Sequence, residues 1–245
     1  MSAAAAPPGS PPVLVLWDID YTLIAAPGVG RAVYERAFLA VIGRPMREMA
    51  AFGGRTELAT MRETLIRNAI EPTDAVLGAF ADRLVEGFDA ARGELADRGW
   101  VLPGAAATLA ALAGDAAVHQ SVLTGNLRAV ARLKLEVFGL DTHLDLAAGA
   151  YGEDHVDRAR LVGYAQYRAQ RRFAIRFDNV RTVLIGDTPN DVRAARDAGV
   201  SVIGVATGQN ESEDLRGAGA PVVLTELDPD SIRRSLFEIT QAEYS

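Results

Sequence analysis

The chain has 245 residues, with 25 basic against 32 acidic side chains and a net charge of -7. That balance argues against wrapping nucleic acid, which needs a basic face. No cysteine is present, so disulfides and thiol chemistry are excluded, which suits a cytoplasmic protein.

No stretch approaches the ~18 apolar residues of a membrane span. The length suits one large domain or a domain carrying an insert, acting as a monomer or homodimer. Met1–Pro12, made of Ala, Pro, Gly and Ser after the initial Met, reads as a disordered leader. Of the basic residues only Lys134 is lysine, so most fixed cations must be arginines.

Val13–Trp17 is apolar without alternation and ends abruptly in Asp18-Ile19-Asp20. Such a run reads as a strand buried on both faces, as in a parallel sheet. With Ile19 turned away, Asp18 and Asp20 lie roughly 6–7 Å apart along the strand direction. Like charges so close need a cation or a proton between them. The simpler reading is that they cap the following turn.

From Gly28 to about Asp97 the periodicity turns helical, over Arg31–Ile42, Thr56–Asn68 and Asp74–Leu95. Gly43-Arg-Pro45 and Glu71-Pro-Thr73 break the run, and Thr73 or Asp74 suits a helix N-cap. Inside this block Phe52-Gly53-Gly54-Arg55-Thr56 feeds a helix start. It is either a plain interhelical turn or a place where Arg55 and the amides around Thr56 meet an anionic substrate.

After Trp100 strands and helices alternate. Helices are expected over Ala105–Leu112, Leu127–Phe138, Arg158–Arg172, Val192–Ala198 and Pro229–Thr240, with Gly199 as a helix stop. Strands are expected over His119–Leu123, Leu144–Ala148, Arg181–Ile185, Val200–Val205 and Val222–Leu224. The alternation predicts an α/β fold, a doubly wound Rossmann-like parallel sheet. The helical block is then an all-helical cap inserted after the first strand. The expected organisation is residues 13–27 and 98–245 as core and 28–97 as cap.

The strand ends carry the polar residues: Asp18 and Asp20, then Thr124 and Asn126, then Asp187 and Asp191. In a doubly wound sheet they share one edge, where ligands bind. Carboxylates without a His or Cys cluster make an oxygen-only site suited to Mg²⁺. His119, His143 and His155 lie outside it and read as structural or solvent-facing.

Asp18–Leu23 (DIDYTL), Thr124–Asn126 (TGN), a basic residue near Arg158 and Gly186–Asp191 (GDTPND) together resemble the haloacid dehalogenase superfamily. More narrowly, they are similar to its phosphoglycolate-phosphatase-like hydrolases, over about Val13–Gly208. The resemblance implies that Asp18 is the nucleophile and that Asp20 is the acid/base, lending its backbone carbonyl to Mg²⁺. It implies that Asp187 binds the metal and Asp191 supports it. It also implies a helical cap after the first motif, with hinges near Ile24–Pro27 and Arg98–Trp100. Thr124 and Asn126, with Gly125 between them, would hold the transferring phosphoryl group.

Two residues depart from that pattern. Tyr21 stands where the family usually has glycine, and a bulky side chain takes a left-handed backbone only at a cost. Its ring would narrow the entrance or stack on substrate. The basic position, usually lysine, falls to Arg158 or Arg160, because Lys134 lies in the helix after TGN. Arg158 opens its helix nearest the carboxyl edge of the sheet. A guanidinium there can pair bidentately with carboxylate or phosphate.

The expected activity is a Mg²⁺-dependent phosphatase acting on a small phosphorylated metabolite through an aspartyl-phosphate. A phosphomutase of the β-phosphoglucomutase type and a metal-independent 2-haloacid dehalogenase are the alternatives. The dehalogenase has no need of Asp20.

Overall fold

The unalternated run Val13–Trp17 is strand β1, and all five of its residues are buried. Val13, Val15 and Trp17 face one apolar cluster, while Leu14 and Leu16 face another. A strand covered by helices on both faces must be apolar on both. Burying each Val or Leu contributes roughly 1.5–3 kcal/mol before the entropy of ordering the chain. The structure, a computed structural model, describes residues 11–242. Met1–Ser10, most of the expected leader, lies outside the described residues.

After β1 come a short strand β2 (Ile24–Ala25) and four helices: α1 (Val29–Ile42), α2 (Glu57–Arg67), α3 (Asp74–Ala90) and α4 (Arg92–Arg98). Strand β3 (Trp100–Val101) returns the chain, pairing antiparallel with β2. The remainder alternates: α5 (Ala105–Ala113), β4 (Val118–Val122), α6 (Arg128–Val137), α7 (Arg158–Phe173), β5 (Thr182–Gly186), α8 (Pro189–Ala198), β6 (Ser201–Val205), α9 (Ser212–Ala218), β7 (Val222–Leu224) and α10 (Pro229–Ala242). Five strands form a parallel sheet in the order β4-β1-β5-β6-β7. The three strands whose ends carry the polar motifs are therefore neighbours, with β1 in the middle.

One face of the sheet is covered by α5, α6 and α10 through residues such as Leu109, Leu135 and Ile232. The other is covered by α7, α8 and α9 through Leu161, Val192 and Leu215. Helices α1–α4 enclose a third cluster around Phe38, Leu65, Phe80 and Leu84. That cluster also takes in Leu127, Val130 and Leu133, so α6 packs against both the sheet and the inserted helices. No helix among the described residues is long and apolar enough to cross a membrane.

Several expectations change. Asp74–Leu95 is two helices, because the chain breaks at Ala91, whose N–H is shared between the carbonyls of Gly87 and Phe88. The apolar spacing continues across the break and hides it. Leu144–Ala148 is a turn rather than a strand. Asp145 folds it by accepting hydrogen bonds from the Ala147 and Ala148 amides, with its carboxylate and carbonyl respectively. Only Ala150 pairs with Leu123, in a single bridge. Helix α8 begins at Pro189, earlier than Val192, because Thr188 and Asp191 form a reciprocal capping box with proline inside it. Helix α9 was not expected.

Candidate active site

At the end of β1 the Asp18 amide donates to the Ile185 carbonyl of β5 (2.9 Å), which seats Asp18 beside the third motif. The chain then turns back, the Ile19 carbonyl accepting from the amides of Thr22, Leu23 and Ile24. Tyr21 sits at φ +59°, the left-handed region where a non-glycine residue costs about 1–2 kcal/mol. Neighbours hold it there. Its amide donates to the Ile24 carbonyl (2.6 Å) and its carbonyl accepts from the Thr207 hydroxyl (2.8 Å). The residue is half-buried and packs against the core.

Asp18, Asp187 and Asp191 are buried, and each offers a carboxylate oxygen within 4.8 Å of the others. Arg158, buried at the start of α7, lies between two of them. Its Nη2 is 3.1 Å from Asp18 Oδ1 and 2.6 Å from Asp191 Oδ1. The local partners Arg158 could have taken are used elsewhere. Asp154 pairs with Arg168, and Asp157 caps α7 at the Ala159 amide. Arg160 is exposed. The second oxygen of Asp191 is spent on the capping box with Thr188 (2.6 Å). Asp187 Oδ1 accepts a long bond from the Thr22 hydroxyl (3.2 Å). Gly208 has no side chain to displace Asp187 Oδ2, with which a Cβ there would collide.

Three carboxylates facing one guanidinium leave an excess of negative charge. Burial pushes Asp18 up to about 6, with Arg158 opposing and Asp191 and Asp20 adding to the rise. Burial, reinforced by Asp191 and Asp18, pushes Asp187 up to about 9. Burial alone would lower the Arg158 guanidinium, but Asp191 and Asp18 outweigh it and hold it above its ordinary value. A hard, oxygen-only donor set carrying surplus charge fits a divalent cation of the Mg²⁺ kind.

This makes a stability prediction with a definite sign. Asp18 and Asp187 bind protons more tightly in the folded than in the unfolded chain. Stability of the metal-free protein is therefore expected to fall as pH rises from about 5 to about 9. Added Mg²⁺ should stabilise more at pH 9 than at pH 5. Thermal melts with chelator and with Mg²⁺ check it; a chelated protein that grows more stable over this range contradicts it.

The second motif adds polar groups on the other side of β1. Thr124 Oγ1 accepts from the Asn126 amide (3.3 Å) and from Asn126 Nδ2 (2.9 Å). Asn126 Nδ2 also donates to Asp20 Oδ2 (2.8 Å). Lys134, which the sequence excludes only as the basic motif, reaches the site from α6. Its Nζ donates to Asp20 Oδ1 (2.8 Å), Asp20 Oδ2 (2.7 Å) and Asn126 Oδ1 (2.8 Å).

The inserted helices lie against this edge. Gly54, at φ +62°, abuts Thr188, where a Cβ would collide with the hydroxyl, and Asn190 Nδ2 donates to the Gly53 carbonyl. Gly125 abuts the Arg55 carbonyl so closely that a side chain would not fit, and its own carbonyl accepts from the Glu57 amide (2.8 Å). Arg55 and Thr56 are thus at the site through their backbones, while their side chains are engaged elsewhere. The Arg55 guanidinium pairs with Glu63. The Thr56 hydroxyl caps α2 at Ala59 and donates to the Val156 carbonyl (2.9 Å). Glu57, also unassigned from sequence, pairs with the Tyr34 hydroxyl. Burial pushes its carboxyl up to about 7, with the Tyr34 hydrogen bond and Lys134 opposing. The histidines take no part. His119 packs on Phe173 and Phe177, and His155 accepts from the Asp157 amide.

Residues 15–196 match the model of the haloacid dehalogenase-like hydrolases, which covers most of the chain and all three polar strand ends. The chain belongs to this family. Within it, the chain is 29% identical over 224 residues to the probable phosphatase IndB of Dickeya dadantii, covering 86% of this chain and 88% of that one. It is 28% identical over 242 residues to the tyrosine-protein kinase PtkA of Mycobacterium tuberculosis, covering 95% and 75% respectively. Among solved structures, a predicted phosphatase from Clostridium acetobutylicum superposes with a TM-score of 0.67 at 21% identity, over 94% of this chain and all (100%) of that one. This haloacid dehalogenase-like hydrolase therefore shares its fold with that structure over 94% of its length.

Proposed function

We propose that the chain is a Mg²⁺-dependent phosphatase that hydrolyses a small phosphate monoester through an aspartyl-phosphate on Asp18. The observation that carries this reading is the Asp18–Arg158–Asp191 bridge, with the Asp187 carboxylate beside it. A carboxylate nucleophile suits phosphoryl transfer because the acyl phosphate it forms is itself readily hydrolysed. Arg158 holds Asp18 in place while the phosphate approaches. Asp187, with Asp18 and the Asp20 carbonyl, would hold Mg²⁺, and Asp191 would support the set by fixing Arg158. When bound, the cation supplies charge neutralisation between the nucleophile and the phosphate.

Exposure separates the two aspartates of the first motif. The Asp18 side chain is 8% exposed and that of Asp20 is 37% exposed. Asp18 attacks from within, and Asp20 faces the solvent side where a leaving group departs. In the first step the Asp18 oxygen bonds to phosphorus, the ester bond breaks, and Asp20 gives the leaving alkoxide a proton. In the second, Asp20 takes a proton from water as its oxygen attacks phosphorus, and Asp18 is released. The Thr124 hydroxyl and the Gly125 amide would hold the equatorial oxygens of the transferring group, with Asn126 orienting Thr124 and Asp20. Arg55, Thr56 and Tyr21 would line the approach, and the seated cap would exclude bulk water.

A panel of phosphate esters assayed with and without Mg²⁺ tests the reading, with inorganic phosphate, fluoride, isomerised sugar phosphate and phosphotyrosine measured in parallel. Mg²⁺-dependent release of inorganic phosphate is the expected result. Metal-free fluoride release from fluoroacetate, return of the phosphoryl group to a sugar, or its transfer to tyrosine would each assign a different reaction. The name of the mycobacterial relative makes the last arm necessary.

A further inference from the structure

The one lysine of the chain is buried, its side chain only 8% exposed. An ammonium has three N–H donors and is not left in an apolar setting without using them. All three polar contacts of Lys134 go to the site: both carboxylate oxygens of Asp20 and the side-chain carbonyl of Asn126, each at 2.7–2.8 Å. The third oxygen is informative. By accepting from Lys134, Asn126 Oδ1 fixes the orientation of its amide, so Asn126 Nδ2 points at Asp20 and at Thr124. One ammonium therefore orients the carboxylate of the first motif and the amide of the second together.

The placement of Lys134 is as constrained as its contacts. Its neighbours on α6 pack in opposite directions, Leu133 into the inserted helices and Leu135 against the sheet. Phe88 of α3 lies over Nζ, 5.2 Å from ring centroid to nitrogen. The ammonium is thus held between the sheet core and the inserted helices.

We propose that Lys134 is a positioning residue for the acid/base Asp20, holding its carboxyl group toward the departing oxygen of the substrate. The proposal rests on the phosphatase reading and on Asp20 acting as its acid. Its consequence is graded by chemistry: the poorer the leaving group, the more the reaction depends on an acid held in register. A good leaving group departs without a proton and is indifferent to where Asp20 points.

The test measures kcat/KM, which reports the phosphorylation step, for p-nitrophenyl phosphate and for glycerol phosphate. The proteins compared are the wild type, Lys134→Met, Lys134→Arg and Asp20→Asn, each with saturating Mg²⁺. Lys134→Met is expected to lose roughly 10²-fold on glycerol phosphate and less than about threefold on p-nitrophenyl phosphate. Lys134→Arg keeps the cation but not the three-point geometry, and is expected to fall between the two; it carries the comparison if the Met variant does not fold. Equal losses on both esters, or none, from the Lys134 variants while Asp20→Asn remains selective would overturn the proposal and leave Asp20 as the acid. A non-selective Asp20→Asn would overturn the acid role itself, and the proposal with it.

Discussion

Asp18→Asn is expected to lower turnover by roughly 10⁴-fold or more while leaving the fold intact. The substitution keeps the shape of the side chain and removes the oxygen nucleophile. It also removes one charge from a cluster of three buried carboxylates, so it relieves repulsion rather than creating it. Arg158 keeps Asp191 as its partner at 2.6 Å and is not stranded. The melting temperature of the metal-free variant is therefore expected to match or exceed that of the wild type. Steady-state assays with an aryl phosphate, run beside a thermal melt, check both halves. A folded variant within about tenfold of wild-type activity contradicts the nucleophilic role.

Arg158→Ala is expected to act in the opposite way on stability. Asp18 and Asp191 would face each other with no cation between them, and breaking a buried pair from one side costs about 3–5 kcal/mol. Activity should fall by about 10²–10³-fold, the range for losing one preorganised charge contact at a reacting centre. Mg²⁺ should restore part of the stability and little of the rate, since it would not sit where the guanidinium bridges the carboxylates. Arg158→Lys keeps the charge without the fork and should fall between Ala and wild type. Arg160→Ala, on an exposed position two residues on, should change stability by less than about 0.5 kcal/mol and leave activity nearly unchanged. Denaturant unfolding and kcat/KM for the three variants check this. Larger losses at Arg160 than at Arg158 would contradict it.

The legible parts of this chain are those in which one residue's surroundings follow from its neighbours in sequence. Val13–Trp17 is apolar throughout because its alternate residues enter two different cores, and that signal is local. The strand ends follow from it, and β4-β1-β5 adjacency brings their carboxylates, hydroxyl and amide to one edge. Tyr21 stands out only against the family pattern, in which glycine is usual at this position, and the chain adopts the left-handed backbone there at φ +59°.

Lys134 shows where local reading stops. Its partner Asp20 is 114 residues away, and α6 has apolar residues on two sides. Sequence periodicity marks such a helix as buried but does not say which neighbour a polar residue between its apolar faces will meet. Arg55 and Thr56 show the converse. The glycine pair does bring that segment to the site, yet the contacts made are through the backbone. Whether a side chain or a peptide group meets the neighbour depends on Glu63 and Val156, residues outside the motif. Leu144–Ala148 failed for a third reason: Asp145 uses its own side chain to turn the chain, and alternation of apolar residues cannot register that.

The most direct measurement of the central claim is the stereochemical course at phosphorus. An aryl phosphorothioate made chiral with oxygen isotopes, hydrolysed by the Mg²⁺-loaded enzyme in isotopically labelled water, reports it in one product. Transfer to Asp18 and then to water is two in-line displacements, so the account predicts retention of configuration. Inversion would mean that water attacks the substrate directly, and that no phosphoryl group ever rests on Asp18.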